Sequence, residues 1–172
     1  MDKAKILRSS REYIIEAFFI LLKSKKIEKI SILEVCAKAG VSRVTFYKYF
    51  KTKVDIIKEF FRINDLNLNT FIEENKPKDN YKELFTDKYF ETIKNNYDKL
   101  ESLVSNDLEF LLLEQITSSV LKITDNAEEN VTYAYVFAGG LFNITIKWIN
   151  EECKTPTNTI SKVIVKSLAL FK

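Results

Sequence analysis

Histidine is missing altogether from the 172 residues, and with it goes the commonest side-chain general base and metal ligand. Glycine occurs three times and proline twice. All-β folds and doubly wound α/β folds need many glycine turns, so this shortage favours long helices joined by short loops. The only close glycines, Gly139-Gly140, lie inside a helical pattern and supply no phosphate-binding loop. Cys36 and Cys153 are too few and too far apart for a thiolate zinc site, and such sparse usage fits a reducing cytoplasm. Cys36 also sits within an apolar pattern, where a small buried side chain is expected. Carboxylate pairs such as Glu73-Glu74 and Glu151-Glu152 fall at helix ends and read as solvated. These absences predict no catalytic residue, no metal site and no cofactor, and they argue against an enzyme.

What is present points to a packed, helical chain. Apolar residues make up 46% of the sequence, enough to build an interior and to exclude wholesale disorder. The net charge of +3 hides an asymmetry: through Arg62 there are 15 Lys/Arg against 7 Asp/Glu, and beyond it 12 against 17. A basic head on an acidic body suits contact with a polyanion, although a solvated lysine face has the same composition. Lys3, Lys5, Arg8 and Arg11 before the apolar stretch Tyr13–Leu22 imitate a signal peptide. Glu16 interrupts that stretch, lysines follow it in place of a small-residue cleavage site, and it is too short to span a bilayer. A folded helix is therefore predicted there, with no membrane partner.

Helical spacing recurs along the chain. Ile14, Ala17, Phe18, Leu21 and Leu22 form a first stripe, followed by a lysine-rich loop from Lys23 to Lys29. Ser31 with Glu34 is a capping box opening a short second helix, which Gly40 stops. Ser42 caps a third, from Arg43 to about Tyr49, and Thr52 caps a long fourth starting near Lys53. The stretch from Asn75 to Asp79, with Pro77, is the clearest break. Asn80 with Glu83 caps a following helix; another runs from about Asp107 to Thr124. Asp125 with Glu128 caps a helix reaching about Glu152, and Thr155-Pro156 starts the last, with proline in the tolerated first position. There is no internal repeat.

Two helices joined by a tight glycine-containing turn, the second short and polar-faced, are the helix-turn-helix arrangement. Here they are Ile32–Ala39 and Arg43–Tyr49, joined through Gly40-Val41-Ser42. Arg43 is long enough to reach a guanine edge, and Val44 with the Thr45 methyl suits thymine methyls. Tyr47, Lys48, Tyr49, Lys51 and Lys53 suit phosphate oxygens, while Phe46 and Phe50 turn inward. Ser31 and Ser42, the two caps, complete the DNA-facing set predicted here. Spacing alone also accommodates an ordinary helical hairpin with an incidental basic surface.

The run from Ile30 to Lys53, above all Ala39-Gly40-Val41-Ser42, Thr45-Phe46-Tyr47, Tyr49-Phe50 and Lys53, closely resembles the DNA-binding domain of TetR-type (TetR/AcrR) transcriptional regulators. The resemblance covers about the first third of the chain. It implies an all-α protein: a three-helix DNA-binding head at 1–53 and a helical regulatory and dimerisation domain at 54–172. It further implies that Arg43, Val44, Thr45, Tyr47, Lys48 and Lys53 face a double-stranded operator, bound by a homodimer. Val44 stands where the family often has a small residue, which alters the expected base preference. The Tyr135–Trp148 segment also looks like the branch containing regulators of dihydroxyacetone kinase operons. That likeness makes an activator working through a protein coregulator the alternative to a repressor released by a small-molecule inducer.

A dimer interface is expected on the last two helices. Ile160, Val163, Ile164, Ser167, Leu168 and Phe171 form one stripe. The helix before carries Tyr133, Phe137, Gly140, Leu141, Ile144 and Trp148 on one face and Val131, Ala134, Tyr135, Ala138, Phe142 and Ile149 on the other. A helix apolar on both sides needs partners on both sides, either its own core alone or that core and a second subunit. Phe61, Phe85, Tyr89, Phe90 and Phe110 are candidates for lining a ligand pocket, though aromatic residues at helical spacing more commonly fill a core. A helical protein-interaction module without DNA binding is the remaining class, and it leaves the basic helix-turn-helix head without a purpose.

Overall fold

The computed structural model describes residues 9–75, 81–122 and 128–169. Among the described residues there is no strand; the order is α1 (Ser10–Leu22), a single 3₁₀ turn (Ile27–Lys29), α2 (Ile32–Ala39), α3 (Arg43–Tyr49), α4 (Lys53–Asn75), α5 (Tyr81–Asn95), α6 (Tyr97–Val104), α7 (Phe110–Lys122), α8 (Glu128–Asn150) and α9 (Thr157–Ala169). This is the all-α architecture with an N-terminal helix-turn-helix that the sequence predicts.

Each of the first four helices begins where a side-chain oxygen satisfies an amide that the helix itself cannot. Ser9 and Glu12 form a capping box, so α1 starts ahead of the apolar pattern first visible at Ile14. Ser31 accepts from the Glu34 amide, and the Glu34 carboxylate returns to the Ser31 amide at 2.9 Å. Ser42 Oγ accepts from the Thr45 amide at 3.0 Å. Thr52 and Asp55 repeat the device, with the Asp55 carboxylate accepting from the Lys51 and Thr52 amides at 2.9 and 2.7 Å.

The chain divides into two compact units, the first ending at Phe60 and the second beginning at Phe61. That division lies inside α4, whereas the boundary read from the sequence, after residue 53, marks the start of the same helix. In the first unit α1, α2 and α3 pack pairwise. Their core holds Ile14, Phe18, Val35, Phe46, Ile56 and Ile57, with Phe19 meeting Phe60 edge-on at 4.9 Å. In the second unit α7 packs on α8, α5 on α9 and α6 on α8. Its core contains Phe90, Leu103, Leu111, Ile116, Ala138 and Trp148, and Phe90 meets Trp148 edge-on at 5.3 Å.

Several sequence expectations shift. The separate helix α6 was not foreseen; its first turn has no side-chain cap to announce it. α8 ends at Asn150, short of Glu152, because Glu152 and Cys153 adopt left-handed φ of 55° and 53° and close the helix through Cys153 N–H to Trp148 C=O. Pro156 sits just before α9, its carbonyl accepting from Ile160 N–H, one position outside the predicted first turn. The Asn80 and Asp125 caps and the Pro77 break fall outside the described residues. Among the described residues, no helix is long and apolar enough to cross a membrane and no group of His, Cys, Asp and Glu could hold a metal ion. Cys36 and Cys153 are both free and buried.

Candidate nucleic-acid interface

The turn between α2 and α3 is built by glycine in the left-handed region. Gly40 has φ 67° and ψ 32°, and Gly40 N–H and Val41 N–H bond back to Ala37 C=O and Cys36 C=O at 3.3 and 3.0 Å. This double closure lets α2 stop and the chain reverse within two residues, with Ser42 extended and ready to cap α3. Burial pushes the Cys36 thiol up, with the Arg43 charge opposing, so the thiol stays protonated.

α3 separates packing from presentation. Phe46 is 0% exposed and Phe50 is 3% exposed, and the two rings tilt against each other at 5.9 Å. On the outer side Arg43 and Lys48 are exposed, Tyr47 is half-exposed and Val44 is 82% exposed. Thr45 is half-buried, its hydroxyl 2.9 Å from Ser42 Oγ. Arg43 extends over the Tyr47 ring at 6.0 Å, and Lys48 lies 5.6 Å from the centre of the Tyr49 ring. Lys51 is exposed just beyond the helix. Arg43, Val44, Tyr47, Lys48 and Lys51 thus project into solvent within two turns of chain, where a duplex can be reached.

Three predicted positions have internal duties as well. Ser31 and Ser42 are caps; the Ser31 hydroxyl is engaged by Glu34 in both directions. Glu34 is also paired with Lys25, and that pair together with the Ser31 bonds holds its carboxyl down at about 2. Lys53 requires a correction. Its side chain is part-buried, and its ammonium donates to Ile27 C=O and, at 2.9 Å, to Ile30 C=O. It ties the loop after α1 to the start of α4 and is no free phosphate ligand. Arg11, conversely, escaped the sequence reading: its guanidinium bonds Glu59 at 2.9 Å and stacks over Tyr49 at 5.4 Å. No local pattern announces a contact between residues this far apart in the chain.

The predicted dimer stripes divide in the same way. Leu141, Trp148, Ile160 and Ile164 are buried within the protomer, and Trp148 Nε1–H donates to Thr155 C=O at 2.9 Å. Left outward are Tyr133 and Gly140 on α8 and Val163 on α9, with Phe137, Ile144 and Ser167 half-buried; Val136, on neither predicted face, is also exposed. Phe171 and the Leu168 side chain lie outside the described residues.

A cavity of about 90 Å³ opens in the second unit, lined by Phe61, Leu68, Phe85, Tyr89, Ile116 and Leu141 on its apolar side. Its polar side carries Asn64, bonded by Asn96, and Asp65, which accepts from Ser119 Oγ at 2.6 Å and pairs with Lys122. Burial raises the Tyr89 phenol above its ordinary range, against a 3.0 Å bond with Thr145, and so keeps it neutral. Two predicted lining residues do not take part. Phe90 is fully buried against Trp148, and Phe110, at the first position of α7, is half-exposed.

Comparison with known proteins locates this geometry. Residues 14–60 match the model of the family described as bacterial regulatory proteins, tetR family. No curated protein sequence matches the chain. Similar solved structures include the dihydroxyacetone kinase operon activator DhaS, with 19% identity, 94% of each chain covered and a TM-score of 0.65. A TetR transcriptional regulator from Streptococcus agalactiae 2603V has 16% identity, 92% of each chain covered and a TM-score of 0.63. A regulator of the TerR/AcrR family from Aquifex aeolicus VF5 has 18% identity, 95% of this chain and 100% of its own covered, and a TM-score of 0.62. At these identities the likeness establishes the shared fold alone.

Proposed function

We propose that the chain, whose residues 14–60 match the tetR family of bacterial regulatory proteins, represses transcription as a homodimer, seating α3 of each protomer in successive major grooves of a pseudo-palindromic operator. The division of α3 supports this reading: Phe46 and Phe50 take the packing, and Arg43, Val44, Tyr47 and Lys48 are left to the solvent. Arg43 reads a base edge, Val44 and Thr45 offer methyl contacts, and Tyr47, Lys48, Tyr49 and Lys51 fix the register on phosphates.

Two glycines support the homodimer. Around Gly139 and Gly140 a β-carbon would meet open space, so nothing inside the protomer calls for glycine there. Each nevertheless costs about 1 kcal/mol against alanine in a helix interior. Close approach by the α8 of a second chain, flanked by Tyr133, Val136 and Val163, supplies the missing reason. Gly140→Ala should therefore stabilise the isolated protomer while weakening self-association, a reversal that sedimentation equilibrium and thermal melting read separately.

The regulatory signal has two readings. A small inducer would occupy the cavity beside Asp65. At about 90 Å³ that cavity is small beside the roughly 300–1,000 Å³ of ligand pockets, so an inducer would have to widen it. The second reading, a protein coregulator acting on the second unit with the chain as activator, needs no such room.

Gel shifts on duplexes selected by the protein from random DNA, repeated across a salt series, test the DNA reading. Binding should weaken steeply with salt as displaced counterions drive association. Arg43→Ala should cost about 1–3 kcal/mol and relax preference at one base pair, whereas Lys51→Ala should weaken all sequences alike and reduce the salt slope by about 1. If no duplex is bound, a helical interaction module without DNA binding is what remains.

A further inference from the structure

Arg11 lies in the first turn of α1, Tyr49 ends α3 and Glu59 belongs to α4, all within the first unit. One guanidinium joins them. Arg11 Nη1 donates to Glu59 Oε1 at 2.9 Å, and its Cζ lies 5.4 Å from the centre of the Tyr49 ring. Lys48 Nζ is 5.6 Å from the same ring, so two cations share one aromatic face or flank it. The Glu59 side chain is only 16% exposed, against 41% for Arg11. The carboxylate is thus held toward the interior and draws the guanidinium with it.

We propose that Arg11 is a positioning residue for DNA recognition. It fixes the last turn of α3, and with it the phosphate-facing Tyr49 and Lys48, by bridging Tyr49 to Glu59, and it neutralises no phosphate itself. The reasoning is electrostatic and geometric. α3 has a side-chain cap at its N-terminus, in Ser42, and its buried anchors are Phe46 inside the helix and Phe50 beyond its end. Tyr49 is half-buried, and Arg11, Lys48 and the adjacent Phe50 meet its ring. Arg11 alone among these comes from another helix. Glu59 is an acid in a basic head, where its charge opposes the approach of DNA; an Arg11 pairing gives it a purpose. A planar guanidinium can stack on a ring and donate in its own plane at once, which an ammonium does less well.

This inference rests on the DNA-binding reading, and two sets of measurements keep the two apart. Without DNA, hydrogen exchange at the Tyr49 and Phe50 amides should be faster in Arg11→Met and in Glu59→Gln than in the parent, and intermediate in Arg11→Lys. With a selected duplex, Arg11→Met should bind roughly three- to tenfold more weakly, the size expected for losing a cation–aromatic contact and a partly exposed ion pair. Its salt slope should be unchanged, and Arg11→Lys should recover part of the loss. Glu59→Gln decides by sign: removing a negative charge from the head should tighten binding if only long-range charge matters, and loosens it if Glu59 holds Arg11 in place. A salt slope lower by about 0.9 in Arg11→Met would mark a direct phosphate contact and overturn the proposal. Tighter binding by Glu59→Gln, or unaltered exchange at Tyr49 and Phe50, would overturn it as well. If the parent protein binds no duplex, the DNA-binding reading fails, and the exchange measurement still decides whether Arg11 holds the end of α3.

Discussion

The two units of this chain specify helices by different means. Through Phe60 the helices are short, apart from the start of α4, and each opens on a serine or threonine cap, so boundaries are set by residues three apart in sequence. From Phe61 onward the helices are mostly longer, and their positions follow from packing: α7 on α8, α5 on α9, and Phe90 wedged against Trp148. Both units leave large apolar side chains facing solvent: in the first, Tyr13, Ile20, Leu33, Val44 and Tyr47 are scattered over α1, α2 and α3, whereas in the second Tyr133, Tyr135 and Val136 follow one another along α8. Local chemistry defines the reading head, and association, within the chain and by our proposal between chains, defines the body.

A pair of core truncations probes that difference most strongly. Phe46→Ala and Phe90→Ala should each destabilise by about 3–5 kcal/mol in chemical denaturation. Phe46→Ala should also abolish DNA binding, while Phe90→Ala, at temperatures where it stays folded, should leave the affinity of the head for a single half-site near that of the parent. Loss of half-site binding in both would show that the units do not act separately.

Lys53 sharpens the comparison within the head. Lys53→Met removes the ammonium from Ile30 C=O and from Ile27 C=O, which keeps its bond from Ile30 N–H, and should cost about 1–3 kcal/mol of stability. Measured on folded protein, its salt slope for DNA should match the parent, in contrast to Lys51→Ala.

The smallest effect concerns pH. The Glu34 carboxyl is held at about 2, first by Lys25 and then by Ser31, against an ordinary value of 4.5. A lowered carboxyl stabilises the fold at pH values above the unfolded value, and that contribution disappears as pH falls from there through the folded one. The stability difference between the parent and Glu34→Gln should therefore be constant near neutrality and shrink between about pH 5 and pH 2. A difference that grew on acidification would contradict the capping-box assignment.

Much of the head was legible because its signals are short-range. Ser31, Gly40, Ser42 and Thr52 stand where local backbone geometry requires them, and the inward turn of Phe46 and Phe50 follows from helical spacing. Lys53 and Arg11 were misread or missed for one reason: each has partners tens of residues away, and charge pattern cannot tell a lysine bound to carbonyls from one free for phosphate. The body was legible as helices but not as surfaces. Periodicity marks Leu141, Trp148, Ile160 and Ile164 as apolar without saying that the protomer's own core covers them. Phe90 and Phe110 were equally plausible pocket residues by spacing, yet one is fully enclosed and the other stands at a helix start in the open.

The separation of roles along α3 bears on how such a protein changes over time. Val44 touches so little of the molecule that another side chain there leaves folding almost untouched, and the same holds in good measure for Arg43 and Lys48. On the reading proposed above, mutational drift at Arg43 and Val44 would be filtered by the target sequence and hardly at all by the fold, so the lineage could be retargeted to a new operator one residue at a time without passing through an unfolded ancestor.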